Sequence, residues 1–187
     1  MKPTQILIAL AAIVYAVAGI EQRMAPFPPE IDTHSQLHAK RCGKRKPKYR
    51  GRFPYPNETY NQLTDGTPCR DVTLIYARGM GAEGNVGAVN ETGPTIFNEL
   101  AALIGQQNLA IQGVKYNADI KNVIKKPPKP GGRVMSELIN LAATQCPDTK
   151  IVLVGHSAGG ALLHQSAENI TTEVTARIAA GQYLSAS

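Results

Sequence analysis

The stretch Ile151-Val-Leu-Val-Gly-His-Ser-Ala-Gly-Gly160 constrains this chain more than any other. Its four leading apolar residues are mostly β-branched and show no polar alternation, the pattern of a strand buried on both faces. Gly155-His156-Ser157-Ala158-Gly159 follows at once, and Ala161, Leu162 and Leu163 continue as a helix. A strand that turns into a helix this sharply leaves no room for side chains two residues before and after the apex, which accounts for Gly155 and Gly159. The turn holds its apical serine in a strained conformation, hydroxyl exposed, beside the positive end of the following helix. Ser157 is therefore a candidate nucleophile. A glycine-rich strand-to-helix turn that only happens to contain serine is the plainer alternative.

The surrounding pattern alternates strands with helices. Val72-Thr-Leu-Ile-Tyr76 reads as a strand between Pro68 and a loop carrying Gly79, Gly81, Gly84 and Gly87. Pro94 through Ile104 reads as a helix with Thr92 as its cap and Ile96, Phe97, Leu100, Leu103 and Ile104 on one face. Leu109-Ala-Ile-Gln-Gly-Val114 is a second strand, and residues 125–132 form a basic, turn-rich loop. Val134 to Ala143 is a second helix, and Thr171 or Thr172 caps a last one running to about Ala180. Residues 182–187 are too short and too polar for a clear fourth strand. Such alternation implies an α/β fold, a parallel sheet between helical layers with right-handed crossovers.

Ahead of that domain lie two segments of different character. Met1-Lys2 and the apolar run Ile6 to Val17 close on Ala16-Val17-Ala18, a small-x-small cleavage signal, so residues 1–18 read as a signal peptide. The run is too short for a comfortable membrane span. Residues 19–68 are broken by prolines and carry eight cations between Lys40 and Arg52, and they read as a disordered basic arm or pro-segment. Those eight exceed the chain's net charge of +6, so the remainder is slightly acidic and carries no footprint for nucleic acid. The arm suits an acidic wall polymer or an anionic surface, with cleavage at Lys40-Arg41 or Lys44-Arg45, or a plain linker, as alternatives.

Secretion makes disulfides and glycans admissible. Asn57-Glu-Thr, Asn90-Glu-Thr and Asn169-Ile-Thr are acceptor sequons. Cys69 opens the first strand and Cys146 precedes the elbow strand; in a parallel sheet both starts share one edge, which favours a Cys69–Cys146 bridge. Cys42 stands apart in the arm, free, paired with another chain, or removed with a pro-segment.

Cys69-Arg-Asp-Val-Thr-Leu-Ile-Tyr-Ala-Arg-Gly79 resembles the opening motif of the cutinase family of serine esterases, which includes acetylxylan esterases. Gly84-Asn85-Val86-Gly87, Gly93-Pro94, Gln112-Gly113-Val114 with Tyr116 and Ala118, Cys146-Pro147-Asp148 and the elbow follow in the family's order and rough spacing. The resemblance spans about Cys69 to Ala180, within a domain at 69–187. It implies a small, lidless α/β-hydrolase with a shallow site, no cofactor and no metal. Its substrates would be cutin polyester, short acyl esters or acetylated polysaccharide of the plant cell wall. Ser157 would form the acyl-enzyme. The backbone N–H groups of Ala158 and Met80 would form the oxyanion hole, with Asn85 supporting position 80. Met80 stands where the family usually carries a hydroxyl residue, Ala82 where it carries Glu, and Ala158 where it commonly carries Gln.

The fold's triad order is Ser, then Asp or Glu, then His. After Ser157 the candidates are His164, Glu168 and Glu173, all further down the following helices; His34 and His38 lie upstream in the arm, and His156 adjoins the nucleophile. None is placed to activate Ser157, and the sheet is short of its last strands. The chain therefore reads as a C-terminally truncated cutinase-like esterase. The alternative is a non-catalytic relic or secreted decoy that binds without turnover.

Overall fold

The computed structural model describes residues 54–119 and 129–184. The expected signal peptide, the expected arm up to residue 53 with Cys42, His34, His38 and the basic run, and residues 120–128 and 185–187 lie outside the described residues. Four parallel strands form one sheet: β1 (Val72–Ala77), β2 (Leu109–Gly113), β3 (Lys150–His156) and β4 (Ile178–Leu184), in the order β2-β1-β3-β4. They alternate with helices α1 (Thr92–Ile104), α2 (Lys129–Gln145), α3 (Ala158–Ser166) and the single turn α4 (Thr172–Thr175). The α/β expectation holds.

Period-two alternation sorts the strand residues onto two faces. Val72, Leu74 and Tyr76 of β1 and Val152 and Val154 of β3 pack with Ile96, Phe97 and Leu100 of α1. Ile75 and Ala77, with Ile151 and Leu153, pack instead with Met135 and Ile139 of α2 and Leu162 of α3. Helices thus cover both faces, which explains the unbroken apolar runs of β1 and β3. The chain passes from β1 to β2 on one side and then crosses over to place β3 on the other, pairing Tyr76 with Val154 and Ala77 with Gly155. A sheet that reverses direction in this way opens a crevice at the carboxyl ends of the two central strands. Ser157 emerges there.

Several boundaries differ from the sequence reading. The segment 54–68, expected to belong to the arm, contributes Tyr55, Tyr60 and Leu63 to the core. Tyr55 is held at both ends: its N–H donates to Asn98 Oδ1 on α1 and its hydroxyl to Leu109 O, each at 3.0 Å. Asn61 bridges Gln112 antiparallel, so this segment shields the outer edge of β2. The prolines exclude regular structure without excluding burial.

Helix α2 begins at Lys129, not Val134, because Pro130 sits in the first turn, where its missing N–H costs nothing. Gly131 and Gly132 belong to the helix since α3 packs against them. A Cβ on Gly132 would lie 2.5 Å from Gln165 Cβ. Thr92 is the first helical residue of α1, and Glu91 occupies the cap position in an extended conformation. The last helix stops at Thr175, capped by Thr171 accepting from Val174 N–H. Ile178–Leu184 is instead a fourth strand, paired with β3 through a register shift between Ile151 and Val152. Its polarity misled the reading because β4 lies at the sheet edge, where it is only partly buried.

Cys69 and Cys146 form the expected disulfide, with Cα atoms 5.5 Å apart. It ties the entrance of β1 to the entrance of β3, at the end of the sheet opposite Ser157.

Candidate active site

The elbow is built as the glycine spacing requires. Ser157 has φ 51° and ψ −116° and is the one non-glycine residue with positive φ among the described residues. Two bonds fix this strained conformation: Ser157 N–H donates to Leu184 O at 2.8 Å, and Gly160 N–H donates to Ser157 O at 2.9 Å. Strain retained at a partly exposed serine, where glycine would relieve it, makes Ser157 a candidate functional position.

Close backbone approach explains the neighbouring glycines. A Cβ on Gly155 would meet Gly159 O at 2.6 Å, and one on Gly159 would meet Ala77 O at 2.1 Å. Both obstacles are backbone and cannot swing aside. Gly159→Ala is therefore expected to destabilise the fold by about 2 kcal/mol, through overpacking between α3 and the end of β1. Urea denaturation of the variant checks this; an unchanged midpoint would contradict the close approach. Gly160 was not singled out from the sequence, yet a Cβ there would lie 2.0 Å from the Tyr183 ring. Recognising β4 is what reveals its role.

The loop after β1 supplies the other wall. A Cβ on Gly79 would lie 3.5 Å from Ser157 Cβ and 2.8 Å from His156 Nδ1, so this loop abuts the elbow. Met80 follows, 41% exposed. Its N–H makes no backbone hydrogen bond with the described residues, and Ala158 N–H, at the first position of α3, has no intrahelical acceptor. The thioether of Met80 offers no donor.

Asn85 is placed differently from its expected role. Its Oδ1 accepts from Tyr60 N–H at 2.9 Å, and its Nδ2 donates to Tyr60 O, Asn61 Oδ1 and Gly113 O. The amide is spent on joining the 54–68 segment to β2, and it makes no hydrogen bond to Met80.

His156 lines a cavity of about 190 Å³ with Gly79, Met80, Asn90, Glu91 and Thr92. Burial pushes its imidazole below the ordinary value of 6.5, with the Glu91 carboxylate acting in the opposite direction. As pH falls below the unfolded-state value the unfolded chain takes up the proton first, so His156 withdraws stability until the folded-state pKa is passed. The urea midpoint is thus expected to fall more steeply between pH 7 and pH 5 in the wild type than in His156→Gln. Equal slopes would contradict it.

The other acid and base candidates are remote. His164 is exposed in the last turn of α3, and Glu168 and Glu173 are exposed beyond it. Among the described residues no side chain hydrogen-bonds the Ser157 hydroxyl, and no cluster of His, Cys, Asp and Glu suits a metal ion. No described helix is long and apolar enough to cross a membrane.

Comparison with known proteins places this arrangement in context. The family model described as Cutinase matches residues 68–183, more than half of the chain. A cutinase of Blumeria hordei is 40% identical over 124 residues, covering 66% of this chain and 52% of the relative. Cutinase CUT2 of Pyricularia oryzae is 42% identical over 125 residues, covering 66% of this chain and 57% of the relative. Among solved structures, Trichoderma reesei cutinase in complex with a C11Y4 phosphonate inhibitor matches with a TM-score of 0.60 and 33% identity. That match covers 68% of this chain and 55% of the other. The chain spans about half the length of the curated relatives it matches.

Proposed function

The chain belongs to the cutinase family, and on that premise we propose that it is a secreted carboxylic ester hydrolase with Ser157 as its nucleophile. The observation that carries this reading is the strained elbow itself: the fold holds Ser157 at φ 51° between two backbone bonds, with the Gly79–Met80 loop against it. In the reaction Ser157 Oγ attacks the ester carbonyl carbon and gives up its proton to solvent water, which supplies the proton that the departing alcohol takes up, and the carbonyl oxygen becomes an oxyanion. The N–H groups of Met80 and Ala158 are the donors for that charge, preorganised because both belong to backbone. Collapse breaks the bond to the alcohol oxygen, which leaves with a proton, and water then releases the acid from the acyl-enzyme.

The substrate class we favour is cutin polyester and short acyl or acetyl esters, since the elbow sits at an open strand-end crevice. The test is hydrolysis of p-nitrophenyl butyrate and of a cutin suspension by the full chain, with Ser157→Ala as control. Release no greater than that of the control would sink the reading.

A second reading follows from one observation: no described side chain hydrogen-bonds the Ser157 hydroxyl to draw off its proton. On this reading the chain is a non-catalytic relative that binds esters without turnover, and saturable binding of a non-hydrolysable ester analogue without hydrolysis would establish it.

Secretion rests on residues 1–18, and the three sequon asparagines, Asn57, Asn90 and Asn169, are exposed, as glycan acceptors must be. Residues 40–52 would then meet an acidic wall polymer. Retention on a pectate column that persists after deletion of 40–52 would remove that role.

A further inference from the structure

The loop that carries Met80 is fastened at both ends by one side chain. Arg78 directly follows β1, and its Nε donates to Ala82 O at 2.9 Å while its Nη2 donates to Tyr116 O at 3.1 Å. Its guanidinium carbon lies 5.1 Å from the centre of the Tyr116 ring. The Tyr116 hydroxyl donates back to Arg78 O. Between these bonds Gly81 N–H donates to Ala118 O at 3.2 Å. Residues 78–82 thus form a small arch whose base is the guanidinium and whose side is tied to the segment after β2. Met80 is its middle residue.

Stability alone would not select this arrangement. No carboxylate pairs with the guanidinium among the described residues, and Nη1 is buried with no hydrogen-bond partner. A buried donor left unmade is costly, and an apolar side chain would fill the same space without that cost. What an arginine adds is a rigid planar fork that fixes two carbonyls from separate segments while stacking on a ring. Burial pushes the Tyr116 phenol up to about 12, with Arg78 opposing, so it stays a protonated donor to Arg78 O.

We propose that Arg78 and Tyr116 are a positioning pair that aims the Met80 N–H at the oxyanion of the ester intermediate. This rests on the reading of Ser157 and Met80 given above. The methionine at position 80 makes such a pair matter. A hydroxyl at position 80 could rotate to find the oxyanion, whereas a methionine leaves the backbone N–H as the sole donor from this loop. Its direction is set by the arch, whose bonds hold residues 78, 81 and 82 on either side of it. Arg78→Lys keeps the charge but loses the fork; Tyr116→Phe keeps the ring but loses the return bond.

The test reads the full chain in two ways. Hydrogen exchange followed by mass spectrometry reports on residues 79–82, and a p-nitrophenyl alkyl phosphonate reports on Ser157. In Arg78→Lys, exchange at 79–82 is expected to quicken by about tenfold, with a smaller rise in Tyr116→Phe and no change in β1 or β3. The maximal rate of phosphonylation should fall by about tenfold to a hundredfold, as for one mis-set oxyanion donor, with the half-saturating probe concentration unchanged. Unchanged exchange at 79–82 in both variants would overturn the proposal, and so would a rise spread equally over β1 and β3. A wild type that is never phosphonylated would overturn the ester-hydrolase reading and the oxyanion half of the proposal. The exchange data would still decide whether Arg78 and Tyr116 hold the loop.

Discussion

Replacing Cys146 by alanine is expected to lower the free energy of unfolding by about 4 kcal/mol. The bridge joins residues 77 apart in sequence, a loop whose closure removes that much chain entropy from the unfolded state. Its position makes the loss global. Cys69 lies at the entrance of β1 and Cys146 at the entrance of β3, the two central strands, and the closed loop contains β1, α1, β2 and α2. For a domain of this size the deficit corresponds to a fall in Tm of roughly 15 °C. Thermal denaturation followed by circular dichroism checks it. Cys69→Ala and the double replacement should match the single variant, because each removes the same constraint. A fall of only a few degrees would mean that the unbridged chain is already restrained by its packing.

The second large effect lies at the elbow. Ser157→Ala is expected to lower ester hydrolysis by at least about a thousandfold, since removing a nucleophile abolishes the covalent route altogether. The same site allows a sharper test. Ser157 pays for a conformation with φ 51° that glycine adopts freely, so Ser157→Gly should lose activity and gain about 1 kcal/mol of stability. Alanine keeps the strain and should leave stability nearly unchanged. Activity and stability moving in opposite directions in Ser157→Gly would separate a functional strain from a merely structural turn. A glycine variant no more stable than the wild type would contradict the assignment of strain.

How much of this was legible depends on what each residue's environment shares with its neighbours in sequence. β1 and β3 are buried on both faces, and their apolar runs announced them without ambiguity. The elbow was legible because its glycines answer to clashes a few residues away. The Cys69–Cys146 pair was legible because parallel strands start on one edge. Elements decided by distant contacts were not. β4 is specified by pairing with β3, and its own residues, Ala179, Ala180, Gly181 and Gln182 among them, carry little strand signal. Tyr55 and Leu63 are buried by Asn98, Leu109 and Gln112, all more than forty residues away, and local prolines gave the opposite impression. Within the candidate site, the sequence pointed to Ser157 and to the loop at Met80, and the structure brings that loop against the elbow. The bonding of Asn85 and the contact of Arg78 with Tyr116 were hidden because these partners belong to other segments.

We propose Ser157 as a nucleophile served by the backbone N–H groups of Met80 and Ala158. The most direct measurement is mass spectrometry of the full chain after incubation with an alkyl p-nitrophenyl phosphonate, with the adduct mapped by peptide sequencing. One phosphonyl group per chain is expected, on Ser157, absent from Ser157→Ala and slowed in Arg78→Lys. A chain that stays unlabelled while its fold is intact, or an adduct on any other residue, would contradict it.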